Sequence, residues 1–82
     1  EKLEGIKVYP SLFNDYIKIT NYKEEYANIL ILDTQGRTIY NAVNEFNKDL
    51  TIETQNWKAG VYFIHIRTTN TETSIKIIKT NE

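Results

Sequence analysis

Two glycines, each beside a run of apolar residues, constrain the fold of this chain most strongly. Gly36 lies in the turn-like segment 33–37, Asp-Thr-Gln-Gly-Arg, which directly follows the apolar run 29–32. Gly60 precedes residues 61–67, the clearest strand pattern in the sequence. Because glycine adopts a positive φ angle at little cost, it is the residue that tight turns between strands require. The two glycines therefore predict tight turns in an all-β chain.

Short segments in which apolar and polar residues alternate predict about seven strands. The strands are expected at residues 6–9, 16–20, 29–32, 37–40, 49–53, 61–67 and 73–79. In the segment 61–67, the alternation places Tyr62, Ile64 and Ile66 on one face. Short strands separated by turn signals at this spacing are typical of an antiparallel β-sandwich.

The connections are predicted from their turn residues and polarity. Pro10 cannot donate a backbone hydrogen bond, so we expect it to end a short edge strand, with a turn following at residues 11–15. The asparagine-rich segment 41–48 is expected to be a loop. Residues 54–59 are expected to cross over, with Trp57 at the edge of the core.

The segment 21–25 leaves two interpretations open. Asn21 and Glu24 have the spacing of a helix capping box, which favours a helix. Residues 29–32 are short, half β-branched and followed by a glycine turn, which favours a strand buried on both faces. We adopt the strand interpretation.

The size and composition of the chain fit one soluble module. The 82 residues suffice for a single small core, and the net charge of −1 provides no concentrated positive surface for nucleic acid. No apolar run approaches the length of a membrane span, and the absence of cysteine excludes disulfides. Because the sequence starts at Glu1 without a methionine or a signal-peptide core, we expect it to be a piece of a longer precursor. Residues 1–5 are charged and end in a glycine before the first alternating segment, so we expect them to be a linker remnant and residues 6–82 to be the domain.

The residues that could support catalysis or metal binding form no recognisable set. His65 is the only histidine, and we expect it to be a surface-facing structural residue because no base partner or further zinc ligand accompanies it. Asp33 is expected to accept hydrogen bonds from the amides of its own turn. Calcium binding by turn aspartates stays open, although no EF-hand spacing is present. We therefore predict no enzyme, no cofactor and no metal site.

The aromatic residues allow a second functional interpretation. Tyr9, Tyr16, Tyr40 and Tyr62 fall in predicted strands, where cross-strand packing is their expected role. With Trp57, the six tyrosines could instead form a platform on which sugar rings stack. An accessory sandwich of a secreted enzyme or adhesin, either glycan-binding or a spacer, is therefore the alternative function. A small hydrolase would need a cleft with paired acids, which the sequence does not indicate.

Five motifs in order resemble the type A C-terminal sorting domain of the type IX (Por) secretion system of Bacteroidetes. They are Val8-Tyr9-Pro10, Tyr16-Ile17-Lys18-Ile19, the segment 31–37, the segment 59–64 and Lys76-Ile77-Ile78-Lys79. The resemblance covers residues 6–79. The family usually has Tyr-Pro-Asn-Pro in its first motif, whereas Ser11 and Leu12 follow Pro10 here.

The resemblance implies an Ig-like sandwich that acts as a non-enzymatic sorting signal for secretion. It implies partners: a cargo protein attached at the N-terminus, the outer-membrane translocon with its shuttle protein, and a sortase. It implies passage through the periplasm to the cell surface or the medium. A sortase commonly removes such a domain and joins the cargo to anionic lipopolysaccharide at the surface.

Residue by residue, the resemblance suggests two groups of functional positions. The candidate translocon-recognition residues are Lys76, Ile77, Ile78 and Lys79, of which both lysines are expected to be solvated strand charges. The motif turns, expected to be structural, contain Pro10, Asp33, Gly36, Arg37, Gly60, Val61 and Tyr62.

Overall fold

The computed structural model describes residues 5–21, 26–45, 48–69 and 71–80. In these residues the chain forms eight strands and no helix. The strands are β1 (Ile6–Tyr9), β2 (Leu12–Phe13), β3 (Tyr16–Asn21), β4 (Tyr26–Asp33), β5 (Thr38–Glu45), β6 (Lys48–Glu53), β7 (Gly60–Arg67) and β8 (Glu72–Lys79). Within this described part, no helix is long and apolar enough to cross a membrane.

The strands form two sheets that pack as a sandwich. The three-stranded sheet has the order β1-β3-β6, and the five-stranded sheet has the order β2-β8-β7-β4-β5. All neighbours are antiparallel except β2 and β8, which run parallel over two residues. The all-β sandwich is confirmed, and it is consistent with the Ig-like fold that the resemblance implies. β1 lies at a sheet edge and ends directly before Pro10, as predicted.

The core is a layer of isoleucines between the two sheets. Alternation along each strand turns every second residue inward, so β3, β4 and β7 each contribute a pair of fully buried isoleucines. The buried apolar side chains are those of Ile6, Phe13, Ile17, Ile19, Ala27, Ile29, Ile31, Ile52, Tyr62, Ile64, Ile66 and Ile77.

Two sequence predictions for β4 and β5 were wrong. Residues 29–32 are not buried on both faces, because Leu30 and Leu32 lie on the outer face of the sheet and are only half-buried. Of the predicted loop 41–48, residues 41–45 belong to β5 and residue 48 begins β6. Because β5 lies at the sheet edge, its outward positions tolerate polar side chains such as that of Asn41.

The predicted turn at residues 11–15 contains β2. The Ile78 amide donates to the carbonyl of Ser11 at 2.8 Å, and the Thr80 amide donates to the carbonyl of Phe13 at 2.7 Å. This short strand carries the chain from the three-stranded sheet, which contains β1, to the edge of the five-stranded sheet. The predicted linker residues 1–4, the ambiguous residues 22–25 and residues 46–47, 70 and 81–82 lie outside the described part.

Candidate functional site

The candidate recognition motif lies in β8, one strand from the edge of the five-stranded sheet. β7 pairs with β8 along its whole length, from Glu72 to Lys79, on one side. On the other side, β2 pairs only with Ile78 and Lys79. Among the described residues, the backbone edge of β8 from residue 72 to residue 77 therefore has no neighbouring strand.

Hydrogen bonding along β8 indicates which backbone groups face this open edge. The Ile78 amide points away from β7, since it donates to Ser11. Backbone groups alternate in direction along an antiparallel strand, so those of Ser74 and Lys76 point to the same side. The open edge thus presents the amides and carbonyls of Ser74 and Lys76.

Alternation also divides the four residues of the candidate motif between the two faces of the sheet. Lys76 is exposed and Ile78 is 39% exposed, both on the outer face. Ile77 is fully buried in the core, and Lys79 is only 6% exposed. The motif is therefore not one surface but two outward and two inward positions.

The Lys79 amine is held at one end of the sandwich. Its Nζ donates to Oδ1 of Asn14 at 3.1 Å and to the carbonyl of Thr80 at 3.2 Å. The expectation that both lysines are solvated was wrong for Lys79, because its position in the alternation turns the side chain inward. The bonds to Asn14 and Thr80 replace part of the lost hydration of the ammonium group.

The outward residues of β8 adjoin an apolar patch on the outer face of the five-stranded sheet. Ile78 lies between Leu12 of β2, which is 60% exposed, and Val61 of β7. Lys76 lies opposite Phe63, a half-buried residue. Farther across the face, a depression of about 410 Å³ is lined by residues that include Leu30, Leu32, His65 and Arg67. Lys76 thus places a positive charge next to accessible apolar surface.

The turn at residues 33–37 is closed by the carboxylate of Asp33. Its Oδ1 accepts from the amides of Gln35 and Arg37, each at 2.9 Å, and its Oδ2 accepts from Nε of Arg37 at 2.7 Å. Gly36 has a φ of +81°, as predicted. Hydrogen bonding by the Arg37 amide is the main cause that holds the pKa of Asp33 below its ordinary value of 3.8, although burial partly opposes it. Asp33 and Gly36 thus have the turn geometry that the sequence predicted.

The second glycine turn leads into an aromatic cluster at the end of the core. The ring centroid of Trp57 lies 5.9 Å from that of Phe13 and 5.0 Å from that of Tyr62. The Tyr62 hydroxyl donates to the carbonyl of Lys58 at 2.6 Å, and burial raises the pKa of Tyr62 above 10.0. Trp57 packs against the core edge, as predicted. Tyr62 therefore fixes the crossover 54–59 against β7.

The remaining predicted positions show no catalytic arrangement. Half-buried on the outer face of β7, His65 lies opposite Leu30 and Ser74. Within residues 5–21, 26–45, 48–69 and 71–80, no three His, Asp or Glu side chains come together as a metal site would require.

Leu12 and Asn14 were not predicted, although both adjoin the motif. A two-residue strand has too few positions to show alternation, and the bond between Asn14 and Lys79 joins residues 65 positions apart. The signal available in the sequence was Leu12 itself, an apolar residue in a segment otherwise typical of a turn.

A family model described as "Secretion system C-terminal sorting domain" matches residues 7–80. The comparison with curated proteins found no match. The family match covers all residues of the eight strands except Ile6 and includes all five motifs that carry the resemblance. It describes a sorting signal rather than a catalytic domain. The chain therefore belongs to the family of type IX secretion system C-terminal sorting domains.

Proposed function

We propose that this domain directs a cargo protein, attached at its N-terminus, across the outer membrane by the type IX secretion system. The observation that carries the proposal is the family match over residues 7–80. The cargo passes through the periplasm and reaches the cell surface or the medium. The translocon and its outer-membrane shuttle protein are the partners that read the domain.

We assign the contact with these partners to the outer side of β8. An open strand edge recruits an extended segment of a partner through main-chain hydrogen bonds, and neighbouring side chains supply specificity. β8 offers both, with the backbone groups of Ser74 and Lys76 at the edge and the side chains of Lys76 and Ile78 on the outer face. Leu12 extends the apolar part of this contact.

The inward residues of the motif act through the fold. Burial of Ile77 anchors β8 in the core, and the bonds of Lys79 attach its end to the segment that contains β2. Neither side chain is accessible to a partner in the folded domain. Of the four candidate recognition residues, Lys76 and Ile78 are therefore assigned to contact, and Ile77 and Lys79 to support.

After translocation, a sortase removes the domain and attaches the cargo to the cell surface. Cleavage falls before Ile6, because a protease requires extended, accessible backbone. From Ile6 onward, the chain is paired with β3, and the Ile6 side chain is 4% exposed. Sequencing the N-terminus of the released domain tests this placement, and a cut inside residues 6–79 would contradict it.

The proposal is tested with a reporter. Residues 1–82 are fused behind a signal peptide and a fluorescent protein, in a Bacteroidetes strain with an intact secretion system and in one without it. We expect the reporter at the surface or in the medium of the intact strain only. Periplasmic retention in both strains would contradict the proposal.

Deletion of residues 73–82 is a weaker test. It should leave the cargo in the periplasm, and unchanged surface delivery would refute the role of β8. Because the deletion also removes the buried Ile77 and the partner strand of β7, we expect it to unfold the domain as well as to remove the recognition surface. Point substitutions at Lys76 and Ile78 separate these two effects.

A further inference from the structure

The outer face of the three-stranded sheet, on the opposite side of the sandwich from the Lys76 surface, carries a second set of exposed side chains. Register places Tyr9, Lys18 and Thr51 side by side across the three strands. Tyr16 lies beside Glu53 in the next row. Two adjoining depressions on this face, of about 350 and 580 Å³, are both lined by Tyr9.

Two aromatic side chains of this face lie open to solvent. Tyr9 is 42% exposed and Tyr16 is 46% exposed. Because Tyr9 pairs with Lys18, Tyr9 and Tyr16 are diagonal neighbours across β1 and β3, at positions about 7–8 Å apart. By contrast, Tyr62 is buried and Tyr40 packs against the core. The sandwich thus uses two tyrosines for packing and leaves these two exposed on one face.

A buried hydroxyl group without a partner lies in the same face. Thr20 is 2% exposed and lines the larger depression beside Tyr9, and its Oγ1 has no hydrogen-bond partner among the described residues. A buried hydroxyl left without a hydrogen bond destabilises the folded state, so such groups usually have a partner. The Oγ1 atom is itself buried, so a ligand in the depression would reach it through a χ1 rotation of Thr20 and would then supply the missing hydrogen bond.

The charges of this face are mixed and nearly balanced. Lys18 forms a 3.9 Å ion pair with Asp49, Lys7 lies opposite Thr20, and Asp15 and Glu53 line the smaller depression. Two amines and three carboxylates on one small surface do not suit a highly charged ligand of either sign, because attraction and repulsion largely cancel. Together with the hydroxyl of Thr51, they supply many separate hydrogen-bond donors and acceptors.

We propose that the outer face of the three-stranded sheet binds a short neutral oligosaccharide. Its pyranose rings lie with their C–H faces against Tyr9 and Tyr16. The sugar hydroxyls bond to Lys18, Glu53 and the unpartnered Oγ1 of Thr20. This site is independent of sorting by β8, because the two surfaces belong to different sheets and face in opposite directions.

The proposal is tested by NMR titration of the full 82-residue chain with cellotetraose, maltotetraose and mannotetraose. Tetragalacturonate and tetralysine serve as the anionic and cationic probes. We expect at least one neutral tetrasaccharide to bind with a Kd of about 1 mM or tighter and to shift the resonances of Tyr9, Tyr16 and Thr20. Absence of binding by all three neutral probes, or binding of a charged probe alone, would overturn the proposal.

Variants distinguish this site from non-specific binding. Tyr9→Ala and Tyr16→Ala should each raise the Kd about fivefold to tenfold, whereas the matched control Tyr26→Ala should leave it unchanged, since Tyr26 is similarly exposed but lies in the other sheet. Binding retained by the Tyr9→Ala/Tyr16→Ala double variant would refute the site.

Thr20→Val separates a loss of sugar binding from a loss of folding, because the melting temperature and the Kd are measured on the same variant. The substitution removes a hydroxyl that has no hydrogen-bond partner among the described residues, so the melting temperature without sugar should be equal or higher while the Kd rises. A lower melting temperature with an unchanged Kd would overturn the role of Thr20. Secretion of the reporter should not change in Tyr9→Ala or Tyr16→Ala. A failure of the sugar-binding proposal can therefore be distinguished from a failure of the sorting proposal.

Discussion

The amine of Lys79 lies 3.1 Å from the side-chain oxygen of Asn14, and this bond joins the end of β8 to the segment that follows β2. The same segment is held from the other sheet, because the hydroxyl of Thr54 donates to the Asn14 carbonyl at 2.9 Å and the Thr54 amide donates to the Asp15 carbonyl at 2.9 Å. Asn14 thus connects both sheets at one end of the sandwich.

Removal of the Asn14 side chain should destabilise the domain. Asn14→Ala leaves a buried ammonium with one fewer acceptor, which should cost about 1.5–3 kcal/mol in urea unfolding. Asn14→Asp should cost less, because its carboxylate still accepts the bond. The matched control Lys76→Met, on the same strand but exposed, should stay within about 0.5 kcal/mol. Equal stability of Asn14→Ala and the parent would contradict the role assigned to Lys79.

Stability should depend on the charge of Asp33 in acid. The folded pKa of Asp33 is lowered, so its contribution is present above the ordinary value of 3.8 and is lost as the pH falls through the folded pKa. Asp33→Asn keeps an acceptor for the turn amides but loses attraction to Arg37. The variant should therefore be less stable than the parent near neutral pH, and urea unfolding should find this difference shrinking in acid. A difference that does not vary with pH would count against the charge as its cause.

Substitution of the two turn glycines should act through backbone strain alone. An added Cβ meets no atom within 4 Å at Gly36 or Gly60. Gly36→Ala should cost about 1–2 kcal/mol at its φ of +81°, and Gly36→Asn should cost less because asparagine tolerates this conformation. Gly60→Ala, at a φ of +142°, should cost about 1–3 kcal/mol. Thermal unfolding measures the three variants, and equal values for Gly36→Ala and Gly36→Asn would refute the strain account.

The core contribution of β2 depends on one side chain. Phe13 is 2% exposed and meets Trp57 edge-on. Phe13→Ala should cost about 3–5 kcal/mol, a large part of the stability of a small domain, and should shift the fluorescence of the single tryptophan. Leu12→Ala, the exposed neighbour, should change stability by about 0.5 kcal/mol or less. Similar losses of stability in both variants would contradict the placement of Phe13 in the core and of Leu12 on the surface.

The sequence predicted those features that depend on local pattern. The alternation in residues 61–67 and the glycine at position 36 identify a strand and a turn whatever surrounds them, and both are confirmed. β5 was missed beyond Tyr40 because asparagine disfavours strands locally, while pairing with β4 overrides that preference. Local pattern therefore fails where a strand is specified mainly by its neighbour.

The candidate site was only partly predictable for a related reason. The motif identified β8, but the orientation of its lysines depends on which face of β8 the rest of the chain covers. The partner of Lys79 is Asn14, and nothing in the sequence relates these two positions. Lys76 and Lys79 are alike in the sequence and differ only after the sandwich forms.

Export of a reporter with altered outward residues of β8 tests the recognition surface most directly. The variant is Lys76→Glu/Ile78→Ser, and its matched control is Lys58→Glu/Val43→Ser, which makes the same charge reversal and a similar aliphatic-to-polar change at exposed positions outside β8. Melting temperatures of the isolated domains establish that both fold. We predict that the control reaches the surface or the medium like the parent, while the β8 variant stays in the periplasm. Export of the β8 variant at the level of the parent would contradict the assignment of recognition to this strand.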